Sequence, residues 1–235
     1  MKKIIIIGAG RSSSSLITYL LENSIKEDLF ITIGDISIEN SSRILHNHPR
    51  GKAIILDIFN EGIRKKEIEK ADLVISMLPA LLHIQVAKNC LEFKKHLVTA
   101  SYISEEMKSL DDEVKKKGLI FMNEIGLDPG IDHMSAMKII DNIRNKGGKM
   151  LLFESFCGGL VAPESDTNLW NYKFTWNPRN VVLAGQGGAA MFIQEGTYKY
   201  IPYHKLFRRT EFLSINEYGK FEAYANRDSL KYRSV

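Results

Sequence analysis

A chain of 235 residues allows one large domain or two small ones, and its 44% hydrophobic and 26% charged residues are the balance of a globular protein. The net charge of +4 is dispersed, and Arg64-Lys65-Lys66 and Lys115-Lys116-Lys117 read as solvated helix faces, which argues against a nucleic-acid partner. No apolar run approaches membrane-spanning length, the N-terminal isoleucines are broken too early for a signal peptide, and Cys90 and Cys157 suit a reducing compartment, so the expected location is the cytoplasm.

Residues 3–7 are a lysine and four isoleucines, a run suited to a strand buried on both faces of a parallel sheet. Gly8-Ala9-Gly10-Arg11-Ser12-Ser13 follows. Gly8 would make the tight turn, Gly10 would let the backbone approach a pyrophosphate, and Ser13 stands where a dinucleotide fingerprint prefers Gly or Ala. The next helix carries Leu16, Ile17, Leu20 and Leu21 on one face. A strand–turn–helix without a ligand is the plainer alternative. A second strand, over 29–33, ends at Gly34-Asp35, a little beyond the usual spacing of about 20 residues. A carboxylate there would accept hydrogen bonds from the adenosine ribose and repel a 2′-phosphate, and no Arg or Lys follows before Arg43. That pattern reads as NAD, with NADP second; a solvated turn aspartate is the alternative.

The alternation continues with helices over 39–45, 63–68, 81–93 and 104–117 and strands over 53–56, 73–77, 96–99 and 119–122. It predicts an α/β fold, a Rossmann-type doubly wound parallel sheet with right-handed crossovers. Ligands then bind at the carboxyl ends of the strands. The residues expected there are Gly8, Gly10, Arg11 and Ser12, then Asp35, Asp57, Leu78-Pro79, Ala100-Ser101-Tyr102, and a loop containing Leu127, Asp128 and Pro129.

That loop, Asn-Glu-Ile-Gly-Leu-Asp-Pro-Gly-Ile-Asp-His over 123–133, joins a strand to a helix over 131–143. Gly126 and Gly130 permit unusual backbone conformations, and Pro129 fixes one dihedral between them. Asp128, Asp132 and His133 gather ionisable groups at a helix N-terminus, with Asp132 as a simple N-cap the alternative and His133 read as structural. After residue 126 the pattern changes. Strands are expected over 149–156, 172–176, 197–203 and 211–215, and a helix over 179–193 that several glycines weaken. The expected division is an NAD-binding domain over 1–125 and a second, mixed α/β domain over 126–235 facing the nicotinamide end.

Six segments then carry a family resemblance. Val-Ile-Ser-Met-Leu-Pro (74–79), Thr-Ala-Ser-Tyr-Ile-Ser (99–104), Gly-Leu-Asp-Pro-Gly-Ile-Asp-His (126–133), Phe-Cys-Gly-Gly-Leu (156–160), Tyr-Lys-Phe-Thr-Trp (172–176) and Asn-Arg-Asp-Ser (226–229) occur in that order. The chain resembles saccharopine dehydrogenase of the glutamate-forming type, also called saccharopine reductase, most weakly between residues 181 and 224. The resemblance implies an oxidoreductase of lysine metabolism. Saccharopine is oxidised by a pyridine nucleotide to an imine and hydrolysed to glutamate and α-aminoadipate semialdehyde, or the reverse.

By the same resemblance Ser101, Tyr102, Arg179, Asn226 and Arg227 match substrate-contacting positions, and the two arginines can hold carboxylates bidentately. Asp128 lies where cofactor and substrate meet, with positioning as its work and proton acceptance within its chemistry; Tyr102 is the alternative proton relay. Cys157 lines the pocket and Cys90 has no role. His46 and His48 lack partners at ligand spacing, so no metal is expected. The expected partners are small-molecule saccharopine and, as a homodimer, a second copy, with no nucleic acid and no membrane. Family members run on past residue 235, so the second domain is expected to be incomplete, with exposed apolar surface and unpaired edges. Two alternatives stand beside this reading: a dinucleotide-binding fragment without turnover, and an enzyme like carboxynorspermidine dehydrogenase.

Overall fold

In the computed structural model, which describes residues 1–175, 178–184 and 188–230, the isoleucine run becomes β1 (Lys2–Ile7). A 3-10 turn leads into α1 (Ser14–Asn23), followed by β2 (Leu29–Asp35), α2 (Ile38–Leu45), β3 (Gly51–Ile55), α3 (Glu61–Glu69) and β4 (Leu73–Ser76). Then come α4 (His83–Glu92), β5 (His96–Thr99), α5 (Glu105–Lys108), α6 (Asp111–Lys116), β6 (Phe121–Met122) and α7 (Ile131–Asn145). The six strands are all parallel, in the order β3-β2-β1-β4-β5-β6. This is the doubly wound Rossmann sheet. Its order reverses between β1 and β4, which places the ligand crevice beyond their carboxyl ends.

Two apolar layers hold the sheet, and β1 feeds both because successive side chains point to opposite faces. Ile5 and Ile7 join Leu56, Val74, Val86, Cys90 and Leu97 on one face. Ile4 and Ile6 join Ile17, Leu21, Ile31 and Ile33 on the other. Each fully buried Ile, Leu or Val contributes roughly 1.5–3 kcal/mol relative to exposure.

Two local expectations are corrected in this region. The single helix over 104–117 is two short ones, α5 and α6. The Ser109 hydroxyl donates to the Glu106 carbonyl, competing with helical pairing, and the run Asp111-Asp112-Glu113 favours a fresh helix N-terminus. Arg64 is not part of a solvated face. It is buried, with Nε donating to Asn89 Oδ1 at 2.7 Å and Nη1 to the Ile58 carbonyl.

Beyond α7 the chain departs further from expectation. No regular element forms over 149–156 or 172–175, and Trp176 lies outside the described residues. The expected helix over 179–193 is instead α8 (Pro178–Ala184) and then β7 (Ala190–Gln194), with Gly188 in the left-handed region between them. β7 pairs antiparallel with β8 (Thr197–Ile201) through Glu195-Gly196, both at positive φ, as a two-residue hairpin turn needs. β9 (Thr210–Ile215) pairs with β10 (Gly219–Tyr224), a strand the sequence reading missed.

The chain forms two compact units, Met1–Cys157 and Gly158–Val235. In the second, two separate two-stranded sheets leave strand edges open, and Leu169 and Trp170 stand exposed. Among the described residues no helix is long and apolar enough to cross a membrane.

Candidate functional site

The turn after β1 is built for close approach. Gly8 has φ +107°, and a Cβ there would lie 2.8 Å from the Met77 carbonyl oxygen, so any side chain would collide with the neighbouring strand. Gly10 has nothing within 4 Å of a Cβ position, leaving open space beside an exposed backbone that Arg11 and Ser12 flank. Ser13 is fully buried, and its hydroxyl donates to the Gly10 carbonyl at 2.8 Å. That bond satisfies the one polar atom that distinguishes Ser13 from the expected alanine.

Asp35 is held in place by backbone donors. Its Oδ2 accepts the Ala9 N–H at 2.7 Å and its Oδ1 accepts the Ser37 N–H at 2.9 Å. Both oxygens are thus engaged by backbone, tying the end of β2 to the glycine turn. Asp57 is exposed and closes its own turn, accepting the Phe59 N–H at 2.9 Å. Leu78 is half-buried against the layer of Ile5 and Ile7.

The loop over 126–130 is folded tightly on itself. Gly126 N–H donates to the Pro129 carbonyl at 2.8 Å and Ile131 N–H to the Gly126 carbonyl at 3.0 Å. A Cβ on Gly130, whose φ is +147°, would fall 2.2 Å from the Gly126 oxygen. Ala100 forms the floor, 3.0 Å from the Cβ position of Gly126. This packing buries Pro129 and leaves Leu127 and Asp128 exposed. Asp132 is not the N-cap. Gly130 holds that place, and Asp132 Oδ1 folds back to accept its N–H at 2.7 Å while also contacting His133 Nδ1 at 2.7 Å. Asp132 and His133 therefore brace the helix start.

Beyond the ends of β5 and β6 Tyr102, Asp128 and Cys157 converge. The Tyr102 hydroxyl donates to Asp128 Oδ1 at 2.6 Å. Desolvation first, then the charge of Asp128 and a hydrogen bond to it, push the Cys157 thiol above its ordinary pKa. A thiol so placed stays protonated at neutral pH and is no nucleophile. Glu124, which the sequence reading left unassigned, aligns this group. It sits at φ +58°, donates its N–H to the Ser101 carbonyl at 3.1 Å and accepts the Ile103 N–H at 2.9 Å, so it clamps both neighbours of Tyr102.

His83, also missed, lies behind Ser101. Its Nδ1 is 2.8 Å from Ser76 Oγ, and its Nε2 is 2.8 Å from Ser101 Oγ and 3.1 Å from Thr99 Oγ1. Burial lowers its pKa to about 4, so the ring is neutral at pH 7. A histidine opening a helix, with hydroxyls ending the two adjacent strands, was the available signal.

In the second unit Asn226 Oδ1 accepts the Arg227 N–H at 2.8 Å. The Arg227 carbonyl accepts the Met191 N–H at 3.0 Å and Ser229 N–H donates to the Met191 carbonyl at 2.9 Å, so residues 226–229 extend the edge of β7. Arg179 is exposed on α8. Among the described residues no group of His, Cys, Asp and Glu could hold a metal ion.

Comparison with known proteins identifies both regions. The family model described as the saccharopine dehydrogenase NADP-binding domain matches residues 4–122, and the saccharopine dehydrogenase C-terminal domain matches 126–235. The NADP(+), L-glutamate-forming saccharopine dehydrogenase of Pyricularia oryzae is 37% identical over 232 residues, 99% of this chain and 50% of that protein. Its Saccharomyces cerevisiae counterpart is 35% identical over 235 residues, 100% of this chain and 51% of that protein. A solved apo structure of the S. cerevisiae enzyme superposes with a TM-score of 0.89 at 35% identity, covering 100% of this chain and 52% of that one. The chain thus spans about half the length of the curated relatives it matches.

These matches overturn the preference for NAD. The matching domain is described as NADP-binding and both relatives are named for NADP(+). Asp35 Oδ2 accepts the Ala9 N–H and its Oδ1 the Ser37 N–H, and each oxygen keeps a lone pair, so a carboxylate at this position does not by itself select NAD over NADP.

Proposed function

Since this chain belongs to the saccharopine dehydrogenase family, we propose that it takes part in lysine metabolism as an oxidoreductase that binds NADP at the β1 turn and saccharopine beside Asp128. The observation that carries the reading is the 2.6 Å bond from Tyr102 to Asp128 at the carboxyl edge of a sheet whose first turn leaves Gly10 open. The open face of Gly10 fits a pyrophosphate, with Gly8 shaping the turn and Arg11 and Ser12 at its rim. When bound, NADP would supply the hydride acceptor for oxidation of the carbon beside the secondary amine.

The chain's own residues handle the proton and the carboxylates. As that C–H bond breaks, the amine becomes an imine, and its N–H proton needs an acceptor. Asp128, exposed and oriented by the Tyr102 hydroxyl, is the proposed acceptor, directly or through water. Water then adds to the imine carbon, and C–N cleavage leaves glutamate and α-aminoadipate semialdehyde. Cys157 stays protonated and donates toward Asp128. Ser101 is proposed to contact a substrate carboxylate, and Arg179, Asn226 and Arg227 are proposed to do the same on their chemistry. Residues 1–125 and 126–235 are proposed as the nucleotide and substrate domains.

The test is saccharopine-dependent reduction of NADP by this chain, run beside NADPH binding followed by fluorescence. Turnover with saturable binding supports the proposal. Since the chain spans half of its relatives' length, nucleotide binding without turnover would favour the second reading, a dinucleotide-binding module. Turnover only with another carboxylated amine, such as carboxynorspermidine, would replace the substrate. Absence of NADPH binding would sink the proposal.

A further inference from the structure

His83 carries an inference that rests on the proposed role of Ser101 and extends it. Ser76 is fully buried, and among the described residues its hydroxyl has a hydrogen-bond partner in His83 Nδ1, at 2.8 Å, and no other. A buried hydroxyl needs an acceptor for its proton, because an unmet donor costs about 1–3 kcal/mol. Nδ1 can be that acceptor only if it carries no proton itself. A neutral imidazole then has its hydrogen on Nε2. Nε2 lies 2.8 Å from Ser101 Oγ, so the ring donates to that oxygen and occupies one of its lone pairs. The Thr99 hydroxyl, equally buried, sits 3.1 Å from the same nitrogen and 3.4 Å from Nδ1, the bare nitrogen that can take its proton; its oxygen also faces the Ser101 N–H at 3.4 Å, which fixes Ser101 from its backbone side.

We propose that His83 is a positioning residue: held as its Nε2–H tautomer by Ser76, it donates to Ser101 and turns the Ser101 hydroxyl proton outward as a donor to a substrate carboxylate. The opposite tautomer would draw the Ser101 proton inward onto Nε2 and present an oxygen lone pair to an anion. The relay thus decides whether Ser101 attracts or repels a carboxylate. Neutrality of the ring is consistent with its burial, which penalises the charged form.

Two measurements on the full chain test this. The first is nitrogen-15 NMR of the His83 ring at neutral pH, which needs no substrate. A protonated Nε2 and bare Nδ1 is the expected result; a protonated Nδ1 overturns the proposal. The second compares His83→Gln, whose amide nitrogen can take the place of Nε2, with His83→Asn, whose shorter amide reaches only the Nδ1 side. Saccharopine affinity should stay within about threefold in His83→Gln and fall about tenfold or more in His83→Asn, the cost of losing an oriented donor to an anion. NADPH affinity should move by less than about twofold in both. Equal losses in the two variants would reduce His83 to packing and overturn the proposal. If the unaltered chain fails to bind saccharopine, the substrate assignment falls, while the ring tautomer still decides the relay.

Discussion

Asp128 is the residue on which most of the proposed chemistry converges, and its effects can be measured with and without substrate. Asp128→Asn keeps a partner for the Tyr102 hydroxyl but removes the proton acceptor, so saccharopine oxidation should fall on the order of 10²–10⁴-fold, a range typical of general-base loss. Steady-state rates check it. The same substitution removes a charge that raises the Cys157 pKa. The thiol should therefore shift downward, though not wholly, because desolvation is the larger cause. Alkylation of exposed Cys157 should accelerate at neutral pH, with buried Cys90 as the silent internal reference. His83 offers a second pH signal. Its pKa is about 4 folded against 6.5 for the free side chain, so the unfolded chain binds the extra proton first as pH falls. Stability from this group is complete above about pH 6.5 and is lost progressively down to about pH 4, to a total of about 3 kcal/mol. Denaturant unfolding between those values should show the loss, and His83→Gln should remove that component.

At the scale of elements, the three glycines of the two loops separate shape from ligand. Gly10 has φ −72°, a conformation any residue adopts, and open space at its Cβ position. Gly10→Ala should leave stability within about 0.5 kcal/mol while a methyl in the pyrophosphate space weakens NADPH binding about tenfold or more. Calorimetry beside fluorescence titration reads both. Gly8 and Gly130 are the reverse, with positive φ and backbone atoms under 3.0 Å from an added Cβ. Gly130→Ala should cost at least about 1–3 kcal/mol from backbone strain and disturb Tyr102–Asp128 pairing, because that loop presents Asp128. A loss under about 0.5 kcal/mol would refute the reading of Gly130. Helix boundaries are the element features read least well from sequence. The break between α5 and α6 depends on one serine hydroxyl and a run of acids, and such short-range competition leaves the hydrophobic period almost unchanged.

For the molecule as a whole, binding to the folded state alone raises stability by mass action, about 2.7 kcal/mol at a ligand concentration one hundred times Kd. NADPH should raise the unfolding temperature more than NADH at equal concentration, and a larger shift with NADH would contradict the nucleotide assignment. Much of the Rossmann unit was legible because apolar strands alternating with amphipathic helices admit few sheets. The second unit was less so. Its strands in short hairpins lack the long periodic runs that mark an element, and β10 with its exposed, polar-rich face was missed altogether. At the site, Asp128, Tyr102 and the glycine turn could be located, because strand ends in a parallel sheet are set by the alternation itself. Glu124, His83 and the buried Arg64 could not.

The sequence alone determined that a buried parallel sheet begins at the isoleucine run, that a glycine turn follows it, and that six ordered segments match one family. These depend on composition and spacing along the chain, where apolar period and glycine freedom are local properties. The tertiary structure decided what the polar groups do. Asp35 is found held by the Ala9 and Ser37 N–H groups, and His83 is an ordinary helix residue until Ser76, Thr99 and Ser101 surround it. A carboxylate or an imidazole takes its role from the donors and acceptors within about 3 Å, and only the fold brings those partners together from distant parts of the chain.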